Sequence, residues 1–311
     1  MSEGFRINLY GVGRSGTKAV QTWLAYLLAR RHGAVWVNYE PLRYKHRKLA
    51  PSHYGWRVHR NTPQLLDTAA APTGEFAAFC HMLAEHPVNV TKFIRGNGRI
   101  NAIDAVMKPD LSILIVRDLY EVLESVLRLN WSLVADDVEW QRLCAVGRGR
   151  VAALDAVLKP GQENKILVNA AHWALHNLHA LEHLETTYAI PYKRLDLVEA
   201  LAKQKGLDTF GTRLSGHAFS GSIHGDDAIT EVTPLKDEEQ QNPLARLWGR
   251  RFGRERSGSL CRAVDPLPEP KEKAVRGQAV RLKVERHALL DDLNAQVQER
   301  LAAAVARQGI G

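Results

Sequence analysis

The chemistry-bearing residues begin at Gly11-Val12-Gly13-Arg14-Ser15-Gly16-Thr17-Lys18, a run that mixes glycines with two cations and two hydroxyls. Glycine lets successive backbone N–H groups converge. A helix that starts inside such a turn adds partial positive charge, so the run suits an anion, above all a phosphate. Register narrows the choice. The nucleoside-triphosphate pattern G-x-x-x-x-G-K-[ST] needs Lys directly after its second glycine. Here Thr17 holds that place and Lys18 follows, which puts the groups for the terminal phosphates and Mg²⁺ out of step. A dinucleotide fingerprint would use Gly11, Gly13 and Gly16, yet no acidic residue ends the following strand unless Glu40 serves.

Three further residues lie where strands should end, and a fourth lies on the helix that follows one of them. Val116-Arg117-Asp118 closes a continuous apolar run, and Ser125 follows on the next helical segment. A guanidinium at a strand's carboxyl end can grip a phosphate bidentately, with a serine hydroxyl as a further donor. Thr91-Lys92 closes another strand-like run, and Glu40 follows Ala34–Asn38 just before Pro41.

Together these residues resemble the sulfotransferases that use 3′-phosphoadenosine-5′-phosphosulfate (PAPS). Gly13-Arg14-Ser15-Gly16-Thr17 is similar to that family's [KR]-S-G-T loop for the 5′-phosphosulfate, with Lys18 departing from the usual second Thr. Arg117 and Ser125 resemble its 3′-phosphate motif. Tyr192-Lys193-Arg194-Leu195-Asp196-Leu197 resembles its Y-E-D-L strand end, with Leu195 in place of Glu. Arg256-Ser257-Gly258 is the nearest counterpart of its closing R-K-G. The likeness covers roughly residues 6–206. It implies PAPS as donor, no metal, and transfer of a sulfuryl group to a hydroxyl or amine. Gly13, Arg14, Ser15, Gly16, Thr17, Lys18, Arg117 and Ser125 would bind the donor. The small-molecule branch places a base His two residues after its Lys; Ile94 stands there in this chain. Tyrosylprotein and several carbohydrate sulfotransferases use a Glu after the second strand instead, which points to Glu40 as base with Arg14 and Lys92 as electrostatic stabilisers. Arg95 and Arg99 are placed to face either an anionic acceptor or solvent.

The elements that must position these groups read as an α/β fold. A strand over Arg6–Tyr10, the glycine turn, a helix over Thr17–Arg31 and a strand over Ala34–Asn38 form a β-loop-α-β opening. Helices are expected over Phe76–Glu85, Ile100–Val106, Asp118–Leu129, Trp140–Leu158, Asn164–Tyr188 and Asp196–Lys205. Strands are expected over Val88–Ile94, Leu111–Val116 and Ile190–Leu195. Leu111–Val116, apolar on both faces, should be a central parallel strand beside or near the first. The whole predicts a three-layer, P-loop-like sheet of about five parallel strands with helices on both faces. Residues 1–206 form the PAPS-binding core, 207–284 an irregular lid or acceptor segment, and 285–311 a closing helix, all in one domain.

Apolar residues make up 45% and charged residues 24% of the chain, which excludes wholesale disorder. Lys and Arg number 42 against 34 Asp and Glu; the surplus favours anionic partners without choosing among them. The three cysteines are scattered singly, with no zinc or disulfide pattern. With neither a signal-peptide pattern nor a membrane-length apolar run, the expected setting is cytoplasmic. The expected partners are a nucleotide donor and an unidentified acceptor, with no nucleic acid. Two other functions compete. One is an ATP-dependent phosphotransferase. The other is a basic nucleic-acid-binding protein built on Arg43, Tyr44, Lys45, Arg47, Lys48, Tyr54, Trp56, Arg57 and Arg60. His172, His176, His179 and His183 share one helical stripe, suited to a partly buried face, an acceptor wall or a metal.

Overall fold

The computed structural model describes residues 4–42, 58–66, 72–214, 232–234, 258–263 and 283–310. Five strands run parallel: β1 (Phe5–Tyr10), β2 (Val35–Tyr39), β3 (Val88–Phe93), β4 (Leu111–Val116) and β5 (Tyr188–Pro191). Two more, β6 (Val232–Pro234) and β7 (Gly258–Ala263), extend the sheet antiparallel beyond β2, giving the order β5-β4-β1-β3-β2-β7-β6. The α/β architecture expected from the sequence is present, and β1 and β4 are direct neighbours. The segment between 207 and 284 is not wholly irregular, since it supplies both added strands.

Among the described residues the helices include α1 (Thr17–His32), α2 (Gly74–Leu83), α3 (Ile100–Met107), α4 (Leu119–Arg128), α5 (Asp137–Gly147), α6 (Lys165–His183), α7 (Asp196–Gln204) and α8 (Ala288–Gln308). Two apolar cores lie on opposite sides of the sheet, because successive strand residues point to opposite faces. Ile7, Leu9, Ile113 and Ile115 pack with Leu24, Leu28, Leu197 and Leu201 from α1 and α7. Tyr10, Leu114 and Val116 face the other way, towards Ile103, Leu123, Trp173 and Leu293 from α3, α4, α6 and α8.

That second face also holds polar groups. The buried Asp104 carboxylate accepts from Asn8 Nδ2 at 2.7 Å, Tyr10 Oη at 2.6 Å and Thr187 Oγ1 at 3.0 Å. A buried carboxylate is tolerable only with such donors.

Three boundaries differ from expectation. The helix expected over Trp140–Leu158 ends at Gly147; Gly149 turns back at φ 74, and only a short 3₁₀ turn, Ala152–Leu154, follows. The strand expected over Ile190–Leu195 is Tyr188–Pro191, and a 3₁₀ turn, Tyr192–Arg194, begins after the proline. Helix α6 stops at His183 rather than near Tyr188, which is the first residue of β5. Among the described residues, no helix is long and apolar enough to cross a membrane.

Candidate functional site

The carboxyl ends of β2, β3, β1 and β4 lie side by side in that order. They carry, in turn, Glu40, Lys92, the glycine loop and Arg117. Sheet hydrogen bonding continues past the strands: Glu40 N donates to Lys92 O at 2.9 Å, and Gly11 N donates to Phe93 O at 3.2 Å. The four groups therefore line one edge, across three strand spacings of about 14 Å in total. In open α/β sheets this edge, at a reversal of strand order, is where ligands bind. Here the reversal falls at β1, because the chain goes first to the β2 side and later to the β4 side.

The loop enters α1 through Gly16, whose φ of 88 is left-handed and which caps the helix without a side-chain hydrogen bond. No acidic residue sits in the first turn of α1. The helix's opening N–H groups thus have no side-chain cap competing for an incoming anion. A Cβ at Gly16 would lie 2.2 Å from Tyr192 Cε2, so only glycine fits beneath that ring. Gly13 is equally confined, since its Cβ would meet Trp131 Cη2 at 2.6 Å.

Arg14, with φ 73, turns its side chain towards α4, where its Nε donates to Ser125 Oγ at 2.8 Å. Ser125 accepts in that bond, which leaves its O–H to donate elsewhere. Arg117 Nη1 donates to the Arg14 carbonyl at 3.2 Å, and its Nε donates to Glu121 Oε2 at 2.7 Å. Its guanidinium lies 4.6 Å above the Tyr192 ring centre. The Arg14 guanidinium is held below its ordinary pKa by desolvation first and then by the nearby charges of Arg128 and Arg117. The Arg14 guanidinium thus feels two like charges, of which Arg117 is paired with Glu121. An anion bound there would relieve their repulsion.

On the other side of the loop, Lys92 Nζ donates to Glu40 Oε1 at 2.8 Å, and both side chains are buried. The ammonium also lies 3.5 Å from the centre of the Tyr39 ring. Glu40 has φ 48, a left-handed conformation rare for a residue with a side chain. Lys92 is thus a partner of Glu40, and Arg43 and Arg47, the partners a surface ion pair would use, lie outside the described residues.

The other expected donor residues take varied positions. Ser15 is fully buried and its hydroxyl donates inward to Val12 O at 2.7 Å, while Thr17 is also buried. Lys18 is half-buried in the first turn of α1. Arg95 and Arg99 do not face an anionic acceptor or solvent. Both are buried; Arg95 Nη1 pairs with Glu139 at 2.5 Å, and Arg99 donates to the carbonyls of His59, Thr62 and Pro63.

His172, His176 and His179 are buried in α6, with the first two rings stacked 4.2 Å apart. Burial lowers His172 to about 3 and His59 to about 4. Among the described residues, no group of His, Cys, Asp and Glu is arranged to hold a metal. Most of the basic patch at 42–60, and Arg256-Ser257, lie outside the described residues.

Sequence reasoning missed Arg128, Trp131 and Tyr39 as parts of this site, and noted Tyr192 only within a strand-end motif. Arg128 stands three residues after Ser125, hence on the same face of α4. The aromatic rings carry no such signal, because an aromatic in a sequence reads equally well as core. Neither comparison with protein-family models nor comparison with curated proteins finds a match for this chain.

Proposed function

We propose that this chain is a sulfotransferase that moves a sulfuryl group from PAPS to a hydroxyl or amine acceptor. The observation that carries the reading is the placing of Arg14 on Ser125 and of Arg117 on the Arg14 carbonyl, beside the uncapped start of α1 and on the same sheet edge as the buried Glu40–Lys92 pair. Anion-binding groups and a carboxylate spread across three strand spacings suit an elongated donor charged at both ends better than a lone phosphate ion. The choice of PAPS among such donors rests on the motif resemblance.

In this reading, the N–H groups at Gly16, Thr17 and Lys18 hold the 5′-phosphosulfate. Arg117 and the Ser125 hydroxyl hold the 3′-phosphate. Glu40 takes the proton of the acceptor as the acceptor oxygen or nitrogen bonds to sulfur and the sulfur–phosphate oxygen bond breaks in line. A base must be ionised before it can act, and the Lys92 ammonium at 2.8 Å favours the carboxylate. Arg14 cannot give up its proton, so it stabilises the charge that grows on the departing phosphate oxygen.

The test is calorimetry with adenosine 3′,5′-bisphosphate and adenosine 5′-phosphate, followed by labelled PAPS against an acceptor panel. The bisphosphate should bind far more tightly, and Arg117→Ala should weaken it by about 1.5–3 kcal/mol while barely changing the monophosphate. Equal affinities for the two nucleotides would remove the 3′-phosphate assignment and the reading with it.

A further inference from the structure

A carboxylate sits among the cations of the donor site. Glu121 Oε2 accepts from Arg117 Nε at 2.7 Å, and both side chains reach solvent, at 34% and 25% exposure. The start of α4 does not require this carboxylate. Asp118 already caps the helix, its side chain accepting from Tyr120 N and from Glu121 N itself. Glu121 turns back instead to Arg117, four residues earlier and on the same face.

Arg117 is fixed from other directions too. Its Nη1 donates to the Arg14 carbonyl at 3.2 Å, its guanidinium lies 4.6 Å from the centre of the Tyr192 ring, and its backbone carbonyl accepts from Trp173 Nε1 at 3.2 Å. Among the described residues, Nη2 meets no acceptor. A phosphate gripped side-on uses Nε and Nη2 together. Glu121 holds Nε, so a phosphate taking that grip has to dislodge it. Arg117 is held on several sides and Glu121 on one, so the part that moves is Glu121.

A second cation stands ready for the displaced carboxylate. Lys193 Nζ lies 3.8 Å from the other oxygen, Glu121 Oε1, beyond a hydrogen bond but within ion-pair reach. Lys193 is 77% exposed, so its long side chain can follow the carboxylate. Asp196, close by in sequence, is taken by Arg194, and among the described residues Lys193 faces no other acid than Glu121.

We propose that Glu121 is a built-in competitor for the 3′-phosphate subsite. An incoming phosphate displaces it from Arg117 onto Lys193, and its return to Arg117 speeds the departure of the nucleotide left after transfer. The proposal rests on the sulfotransferase reading. Loss of the sulfuryl group turns PAPS into adenosine 3′,5′-bisphosphate, which keeps the whole 3′-phosphate contact. Grip at that subsite therefore holds donor and product alike and adds nothing to the chemical step. A carboxylate that contests Arg117 loosens both and keeps release fast. Glu121 is thus a positioning residue that acts through Arg117.

The test uses the full chain at one salt concentration, with calorimetry for affinity and stopped-flow displacement for the dissociation rate. Glu121→Gln keeps an oxygen for Arg117 Nε but no charge. It should tighten adenosine 3′,5′-bisphosphate about tenfold, as for removal of one partly screened like charge, with most of the change in a slower dissociation. Adenosine 5′-phosphate, which lacks the contested group, should change less than about twofold. Lys193→Met should weaken the bisphosphate about threefold beside Glu121 and leave it unchanged beside Gln, because its role is to receive the carboxylate. Both positions are exposed, and a common melting temperature shows that the variants fold. Bisphosphate binding that is unchanged or weaker in Glu121→Gln overturns the proposal, as does a Lys193→Met effect that persists in the double variant. If the wild type still prefers the bisphosphate when either occurs, the donor reading stands and only the competitor falls. Equal affinity of the wild type for the two nucleotides removes both.

Discussion

Arg14, inside the glycine loop, and Glu40, at the end of β2 on the same sheet edge, both hold left-handed backbone conformations, at φ 73 and 48. Such conformations cost about 1–3 kcal/mol each and persist where the surroundings over-determine them, often at working sites. Glu40 is fixed from two directions, since its N–H bonds to the Lys92 carbonyl while its carboxylate takes the Lys92 ammonium. Glu40→Gln keeps the volume and a hydrogen-bonding oxygen for Lys92 but cannot accept a proton. Turnover should fall about 10²–10⁴-fold, as for loss of a general base. Adenosine 3′,5′-bisphosphate affinity should stay within about threefold, well under the ~1.4 kcal/mol of a tenfold step. Steady-state kinetics beside calorimetry separates the two quantities. Near-normal turnover would place the base elsewhere.

At the scale of elements, α4 joins the donor site to the end of the chain. Asp118 caps α4 by accepting from Tyr120 N at 2.9 Å and Glu121 N at 3.3 Å. Asn294 of α8 donates to Asp118 Oδ2 at 2.8 Å and accepts from Leu119 N at 3.0 Å. Asp118→Ala should therefore cost about 0.5–2 kcal/mol for the cap, plus the loss of the Asn294 contact. Urea unfolding measures it, and Asp118→Asn, which retains an acceptor, should recover most of the loss. This cap was legible in the sequence, as were β1, α1 and β4, because each shows one strong signal: a continuous apolar run, a helical stripe, or an acid before a helix. The Glu40–Lys92 pair was half legible. Each residue stood at a strand end, but only the strand order, with β3 beside β2, brings them together. The strands β6 and β7 were not legible, since Gly258-Ser259-Leu260-Cys261-Arg262-Ala263 has no clean alternation and borrows its pairing from β2. The Glu139 cluster was invisible because Arg95, His59 and His172 come from three distant segments.

For the molecule as a whole, buried imidazoles and carboxylates set the response to acid. His59 and His172 are kept neutral by burial down to about 4 and 3, against an ordinary value of 6.5. Below pH 6.5 the unfolded chain takes up protons that the folded one refuses, so stability is full above that value and falls on acidification. The loss should be about 1.4 kcal/mol per pH unit for each imidazole until its folded value is reached. For Glu139, burial pushes upwards, but Arg95 and the His59 hydrogen bond outweigh it and hold the group well below 4.5. Its contribution is present above 4.5 and is lost below, in the same direction. Melting temperature should drop steadily from pH 7 to pH 4, and His172→Phe should flatten the slope. A pH-independent melt would contradict the burial of neutral histidines. The sheet's far side carries a consequence of another kind, concerning synthesis rather than equilibrium. The β2 edge is completed by β7, which lies more than two hundred residues further along. A ribosome adding about 5–20 residues per second leaves that edge bare for ten seconds or more. During that interval its open row of N–H and C=O groups is a template for any other nascent strand, so the hazard in making this protein lies in β2, far from its chemistry.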